Sequence, residues 1–324
     1  MSIAALIRGL GRSQISLSEA EAYTLFSAML DEGLPDLELG ALLFALRTKG
    51  ESLEELLGFK RAVSERLYCL QAPAGDIQPV IIPAYGGKLD SVNLLPLLAL
   101  LLQRFGVTVL IHGSLDSHDG VAAAYVLREL GTLPSTSIIQ AQQALDQQGL
   151  AFLPTAALCP GLANLLSLRS RLGLRNSAHL LAKVLEPFSG MGLHLVSASQ
   201  HACMNRLREF LHAAEINALL LQSSGGDPCA NPAQRPQLEY ISNGASDILF
   251  EAERGSARMV PNLPNPASAA ATALWTTQVL AGEIPLPMPL VNQLACCLYA
   301  SGYTQDMNQA KAIAAVEAGG LAAA

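Results

Sequence analysis

Residues 80–82 and 107–111 are short, almost wholly aliphatic runs, each followed by a stretch of helical periodicity. Strands buried on both faces read this way, and parallel strands need a crossover between them. The order strand, helix, strand therefore constrains residues 71 onward to an α/β domain with a mainly parallel central sheet. Residues 151–153 and 218–221 are weaker candidates for the same sheet, and Ile241 with residues 247–250 adds late strands. The apolar run at 94–102 contains Pro96 and is too short to span a bilayer. Residues 261–266 read as a proline-punctuated loop, after which a helix resumes over 267–280.

The first 70 residues follow a different period. Ser18 is an N-cap with Glu21 at the capping-box position, and Ala22, Leu25, Phe26 and Met29 recur at helical intervals. Gly33-Leu34-Pro35 breaks that helix, and a second is predicted from Asp36 to Arg47. Ser52 with Glu55 opens a third that continues toward Tyr68. The expected division is a small all-helical domain over 1–70, joined by helices from about 162–186. The α/β domain takes 71–161 and 187–324.

Hydrophobic residues make up 51% of the 324 and charged residues 15%, which excludes a disordered chain. Residues 1–12 lack the pattern of a secretory signal, so a soluble cytoplasmic protein is expected. The six cysteines show no CxxC pair and read as small buried hydrophobes rather than as disulfides or a metal site.

The net charge of −7 opposes wholesale affinity for nucleic acid, but its distribution is uneven. Acids crowd residues 19–55, whereas 147–185 contains neither Asp nor Glu and carries Arg169, Arg171, Arg175 and Lys183. On one continuous helix Arg171, Arg175, His179 and Lys183 would form a stripe about 18 Å long. Gly173 is where such a helix would be interrupted. Arg206 and Arg208, followed by His212, form a second basic candidate. Lys60, Arg61 and Arg66, interleaved with Glu65, read as surface charge.

Two loops stand where a phosphate and a metal would be held. Pro83-Ala84-Tyr85-Gly86-Gly87-Lys88 follows the first strand, but its proline offers no N–H. Ser224-Gly225-Gly226-Asp227-Pro228-Cys229 has a single carboxylate. His112 sits at the end of a strand-like run, where ligands gather in α/β folds. Tyr85 reads either as a base-stacking ring or as a buried one. Asp116, His118 and Asp119 resemble a metal cluster only in composition, and a solvated loop is the better reading.

Residues 21–30 and the run Gly40-Ala41-Leu42-Leu43-Phe44-Ala45-Leu46-Arg47-Thr48-Lys49-Gly50-Glu51-Ser52 resemble the N-terminal signature of the anthranilate phosphoribosyltransferase family, which shares its fold with the pyrimidine nucleoside phosphorylases. His112-Gly113 matches two places of that family's Lys-His-Gly-Asn motif, with Ile111 and Ser114 at the others. Of the phosphoribosyl pyrophosphate loop Gly-Thr-Gly-Gly-Asp-Gly only Gly86 agrees, although Asn93 matches the asparagine beyond it. The family's Asp-Glu metal pair falls on Pro228 and Cys229. Arg169 falls on an arginine that contacts anthranilate in the family. The segments Ile82-Pro83-Ala84-Tyr85, Arg175-Asn176-Ser177-Ala178-His179 and Ala230-Asn231-Pro232 are similar to the divergent YbiB-type branch.

That resemblance implies a homodimer, joined through the helical domain, that binds DNA or RNA without the biosynthetic activity. The expected nucleic-acid contacts are Arg169, Arg171, Arg175, His179, Lys183, Arg206 and Arg208. Tyr85, Gly86, Gly87, Lys88, Asn93, His112 and Gly113 form a degenerate phosphate site. No catalytic residue, metal, cofactor or membrane is expected. The alternative is a glycosyl- or phosphoribosyltransferase for an unidentified acceptor, which would need Mg2+ and phosphoribosyl pyrophosphate.

Overall fold

The structure, a computed structural model, describes residues 2–86, 92–117, 120–223, 228–265 and 268–323. The chain opens with α1 (Ile3–Gly11), α2 (Glu19–Leu30), α3 (Asp36–Lys49) and α4 (Leu53–Ser64). Next come β1 (Val80–Ala84), α5 (Leu95–Arg104), β2 (Val109–Gly113), α6 (Ala123–Glu129), α7 (Ile138–Gln148) and β3 (Leu150–Pro154). Short helices follow: α8 (Thr155–Leu158), α9 (Pro160–Ser167), α10 (Arg169–Leu172), α11 (Ala178–Leu181) and a 3-10 turn (Ala182–Val184). The last part contains β4 (Leu193–Ala198), α12 (His201–Ala213), β5 (Ala218–Gln222), β6 (Leu238–Ser242) and β7 (Ala245–Phe250). It closes with α13 (Ala269–Leu280), α14 (Met288–Ala300) and α15 (Met307–Ala323). Among the described residues no helix is long and apolar enough to cross a membrane.

Met1–Cys69 and Thr155–Pro187 form one compact unit, and Leu70–Pro154 with Phe188–Ala324 form the other. In the helical unit both expected capping boxes are present, Ser18 with Glu21 and Ser52 with Glu55. Helices α2 and α4 pack closely because Gly58 has no side chain. A Cβ there would lie 2.3 Å from the Glu19 carbonyl oxygen. Phe26 and Phe59 stack across the same contact at 4.5 Å. Helix α4 stops earlier than its sequence pattern suggests. Arg66 turns back to the Ala62 carbonyl and to Asp31, and the Tyr68 amide donates to Leu158, which draws the chain out of the helix. Helix α1 has no counterpart in the sequence reading.

The second unit holds a seven-stranded sheet in the order β3-β2-β1-β4-β5-β6-β7 among the described residues. The first five strands pair in parallel, and β6 and β7 are antiparallel additions. The expected fold class, a helical domain plus an α/β domain with a mostly parallel sheet, is what the chain adopts. The core on one sheet face includes Ile82, Ile111, Leu195, Leu219 and Phe152 with Leu98 and Leu102 of α5, all buried. Strand β4 escaped the sequence reading because buried His194 and Ser197 interrupt its aliphatic run.

The strand order reverses at β1: β2 lies on one side of it and β4 on the other. Open α/β sheets take ligands at the carboxyl ends of the strands flanking such a reversal. Here the end of β1 runs into Tyr85 and Gly86.

Candidate nucleic-acid interface

At that sheet edge the side chains are largely occupied with one another. The Tyr85 hydroxyl lies 3.0 Å from His112 Nδ1, and the rings meet edge to face with centroids 5.7 Å apart. His112 is fully buried on β2, and its Nε2 has no hydrogen-bond partner among the described residues. Burial first, and then the neighbouring His194, push the His112 imidazole down to about 3. Asn93 is also buried. Its Nδ2 donates to the Val121 carbonyl at 3.1 Å, and its Oδ1 accepts from the Leu95 amide at 3.2 Å. Gly113 is a glycine for packing, since a Cβ would sit 2.1 Å from the Ala84 carbonyl oxygen. The Gly86 carbonyl accepts from the Ser117 hydroxyl at 3.1 Å. Gly87, Lys88, His118, Asp119 and residues 224–227 lie outside the described residues.

The depressed His112 value carries a pH dependence of definite sign. The unfolded imidazole, near 6.5, takes up a proton before the folded one, so stability present above that pH is lost as pH falls. Between pH 7 and pH 5 the loss is expected to be about 2 kcal/mol. Urea unfolding at the two pH values checks it, and a His112→Leu variant should lose correspondingly less.

The basic segment departs from the expected stripe. Helix α10 ends at Leu172, and Gly173 caps it in the left-handed conformation at φ 69°. Helical backbone resumes only at Ser177, so Arg171 does not share a helix with His179 and Lys183. The two parts are nevertheless brought together. Asn176 Nδ2 donates to the Leu165 carbonyl of α9 at 2.8 Å, folding the 174–177 connection back toward the α9–α10 run. Asn176 Oδ1 also accepts from the Ala178 amide at 3.0 Å and so starts α11. The Ser177 hydroxyl donates to buried Glu51 at 2.6 Å.

His179, half-buried, accepts the Asn176 amide at its Nδ1, 3.3 Å away. Its imidazole is pushed down to about 3, by burial first and then by the positive charge of Arg175, Arg169 and Lys183. Arg171 is two-thirds exposed, and its Nη1 stands 3.2 Å from the exposed carboxylate of Asp36. Asn176 was legible in sequence only as part of a family resemblance. Its structural role depends on a carbonyl eleven residues away.

Arg208, expected as a nucleic-acid contact, is engaged within the fold. Its Nε and Nη2 form a fork on Glu239 at 2.7 and 2.8 Å, and Glu239 is buried on β6. Burial is the largest single influence on the Glu239 carboxyl and raises it, but the hydrogen bonds and charge of Arg208, with Ser246 and His212, together hold the group below the usual carboxylate range. Arg206 is half-buried on α12. His212 Nε2 lies 2.8 Å from the Ser246 hydroxyl. Lys60 is likewise no loose surface charge, since it pairs with Glu186 with both side chains largely covered. Of the cysteines, Cys159, Cys296 and Cys297 are buried as expected; Cys69 is exposed, Cys203 and Cys229 are partly covered, and all six are free thiols.

Residues 3–66 match the helical bundle domain of the glycosyl transferase family. The chain is 37% identical to the uncharacterized protein YbiB of Escherichia coli over 302 residues, 92% of this chain and 93% of that one. It belongs to the anthranilate phosphoribosyltransferase family, in the branch of YbiB. An anthranilate phosphoribosyltransferase of Prochlorococcus marinus is 28% identical over 90% of this chain and 84% of its own. The Thermus thermophilus anthranilate phosphoribosyltransferase shares the fold, with a TM-score of 0.77 at 21% identity over 98% of this chain and 96% of that one.

Within this family member, two positions of the Lys-His-Gly-Asn motif can be compared directly. Ile111, in place of the lysine, is fully buried in the sheet core. Ser114, in place of the asparagine, donates its backbone amide to the Ala84 carbonyl at 3.2 Å. At the metal-pair position, Gln293 fixes the backbone, donating to the Pro228 carbonyl at 2.8 Å and accepting from the Ala230 amide at 2.7 Å.

Proposed function

We propose that the chain is a sequence-nonspecific nucleic-acid-binding protein on a phosphoribosyltransferase scaffold. The observation that supports the reading is the acid-free run 147–185, which carries Arg169, Arg171, Arg175 and Lys183, with Arg171 two-thirds exposed. Arginine presents a fixed fork of donors that matches phosphate oxygens, and lysine adds a point charge. Contacts of this kind position a strand without reading its bases. These cations come from a segment that contains no acid, despite the net negative charge of the whole.

The described groups do not fit a magnesium–pyrophosphate site. Pro228 has no side-chain oxygen and Cys229 offers a thiol, whereas Mg2+ takes oxygen ligands. Ile111 places an aliphatic group in the core where a cation would face the anion. The two readings separate in one calorimetric comparison. Phosphoribosyl pyrophosphate with Mg2+ should give no saturating heat, while a mixed-sequence oligonucleotide should. Saturable sugar-phosphate binding with turnover would establish the transferase reading instead.

A homodimer through the helical unit fits its surface. Leu37 and Phe44 lie on one face of α3, 82% and 57% exposed, with Ala41 between them partly covered. Exposed apolar side chains grouped in this way mark association sites. Phe44→Asp is expected to convert a dimeric mass in light scattering to a monomeric one, with the far-ultraviolet circular dichroism unchanged. The six free thiols are consistent with a reducing, cytoplasmic setting.

A further inference from the structure

Two cations of the α/β unit stand over one aromatic ring. Phe250 closes β7, opposite Leu238 of β6, and packs against the core of the sheet. The Arg235 guanidinium carbon lies 5.0 Å from the centre of its ring, and Lys311 Nζ of α15 lies 4.9 Å from the same point. The two charges are therefore no farther apart than the sum of those distances, about 10 Å. Arg235 is fixed further by its Nε, which donates to the Glu251 carbonyl at 3.1 Å. The nearby acid Glu253 accepts the Arg235 backbone amide at 3.3 Å and is engaged by the Arg258 side chain. Arg235 Nη1 and Nη2 and Lys311 Nζ are left without a protein acceptor among the described residues. In a chain with 27 acidic and 20 basic residues, a shortage of acids does not explain this.

An arginine laid on a ring and locked at Nε presents its terminal N–H groups as a fixed fork. That fork matches two oxygens of a carboxylate or a phosphate. Lys311 adds a second positive charge. A carboxylate carries only one negative charge, whereas a phosphate monoester carries about −1.5 to −2 at neutral pH and offers three strong acceptor oxygens. Lys311 is exposed and Arg235 half-buried, so the site opens to solvent. We propose that Arg235 and Lys311, seated on Phe250, bind a phosphate dianion, free or as the monoester of a small molecule. The site uses none of the residues placed in the nucleic-acid interface and is tested apart from that reading.

The test reads Lys311 itself in the full-length chain. Its amine is acylated with a limiting amount of a succinimidyl ester, and the modified peptide is quantified by mass spectrometry. The reaction is run in inorganic phosphate, in glycerol phosphate and in chloride, at equal ionic strength. Charge-assisted contacts from two cations imply a dissociation constant on the order of 1 mM, so about 10 mM phosphate should slow the acylation of Lys311 roughly tenfold relative to chloride. Lys60, held by Glu186, is the internal reference and should react alike in all solutions. Arg235→Ala should abolish the protection. Arg235→Lys keeps the charge without the fork, should retain only part of it, and covers the case in which the alanine variant fails to fold. Protection by glycerol phosphate equal to that by inorganic phosphate identifies a monoester as the ligand, and protection by inorganic phosphate alone identifies the free ion. Equal acylation of Lys311 in all solutions would overturn the assignment. Full protection persisting in a folded Arg235 variant would overturn it as well.

Discussion

Reversing the charge at Arg171 and Arg175 together is expected to weaken oligonucleotide binding by about two orders of magnitude at low salt. Each substitution removes a cation from the phosphate path and puts an anion in its place. For a single strand, neutralising a phosphate contributes about −0.7 to the slope of log affinity against log salt. Losing two of four contacts should therefore halve the salt dependence. The fold should survive the change. Arg171 pairs with exposed Asp36, and such surface pairs contribute less than about 1 kcal/mol. An unchanged affinity in a folded double variant would take the α10–α11 segment out of the binding site.

The largest expected effect on stability lies in the helical unit. Glu55 is fully buried at the start of α4, and its carboxylate gathers three donors. Oε1 accepts the Leu17 amide at 2.9 Å, and Oε2 accepts the Ser52 amide at 2.8 Å and Lys49 Nζ at 2.7 Å. One side chain thus ties the loop before α2, the end of α3 and the cap of α4 together. The Lys49 side chain is 6% exposed, so Glu55→Ala leaves an ammonium buried without its counter-charge. Breaking a buried pair in this way costs about 3–5 kcal/mol. Glu55→Gln keeps acceptor capacity but loses the charge and should fall between the alanine variant and the native chain. Urea midpoints rank the three. A Glu55→Ala chain as stable as the native one would show that the carboxylate does not hold these segments together.

Glu55 also shows how far the sequence could be read. The spacing Ser52 to Glu55 announces a capping box, and that local contact is present. Its bonds to Leu17 and Lys49 span 38 and 6 residues and leave no periodic trace. The same division runs through the sheet. Strands β1 and β2 announce themselves as aliphatic runs, whereas β4, central and paired with β1, is masked by His194 and Ser197. In the basic segment, four-residue spacing joined Arg171 to His179 and Lys183 on one helix, which the chain does not form. A glycine that takes a positive φ stops a helix whatever the spacing of its neighbours. The bond of Arg208 to Glu239 left no trace in the sequence because Glu239 arrives from a strand 31 residues on.

The most direct measurement is the affinity of the native chain for a fluorescent single-stranded oligonucleotide at 50 and 200 mM salt. Four phosphate contacts give a slope near −2.8, so binding should weaken by about 50-fold across that range. Absent or salt-independent binding would contradict the assignment of the cationic cluster to a phosphate backbone.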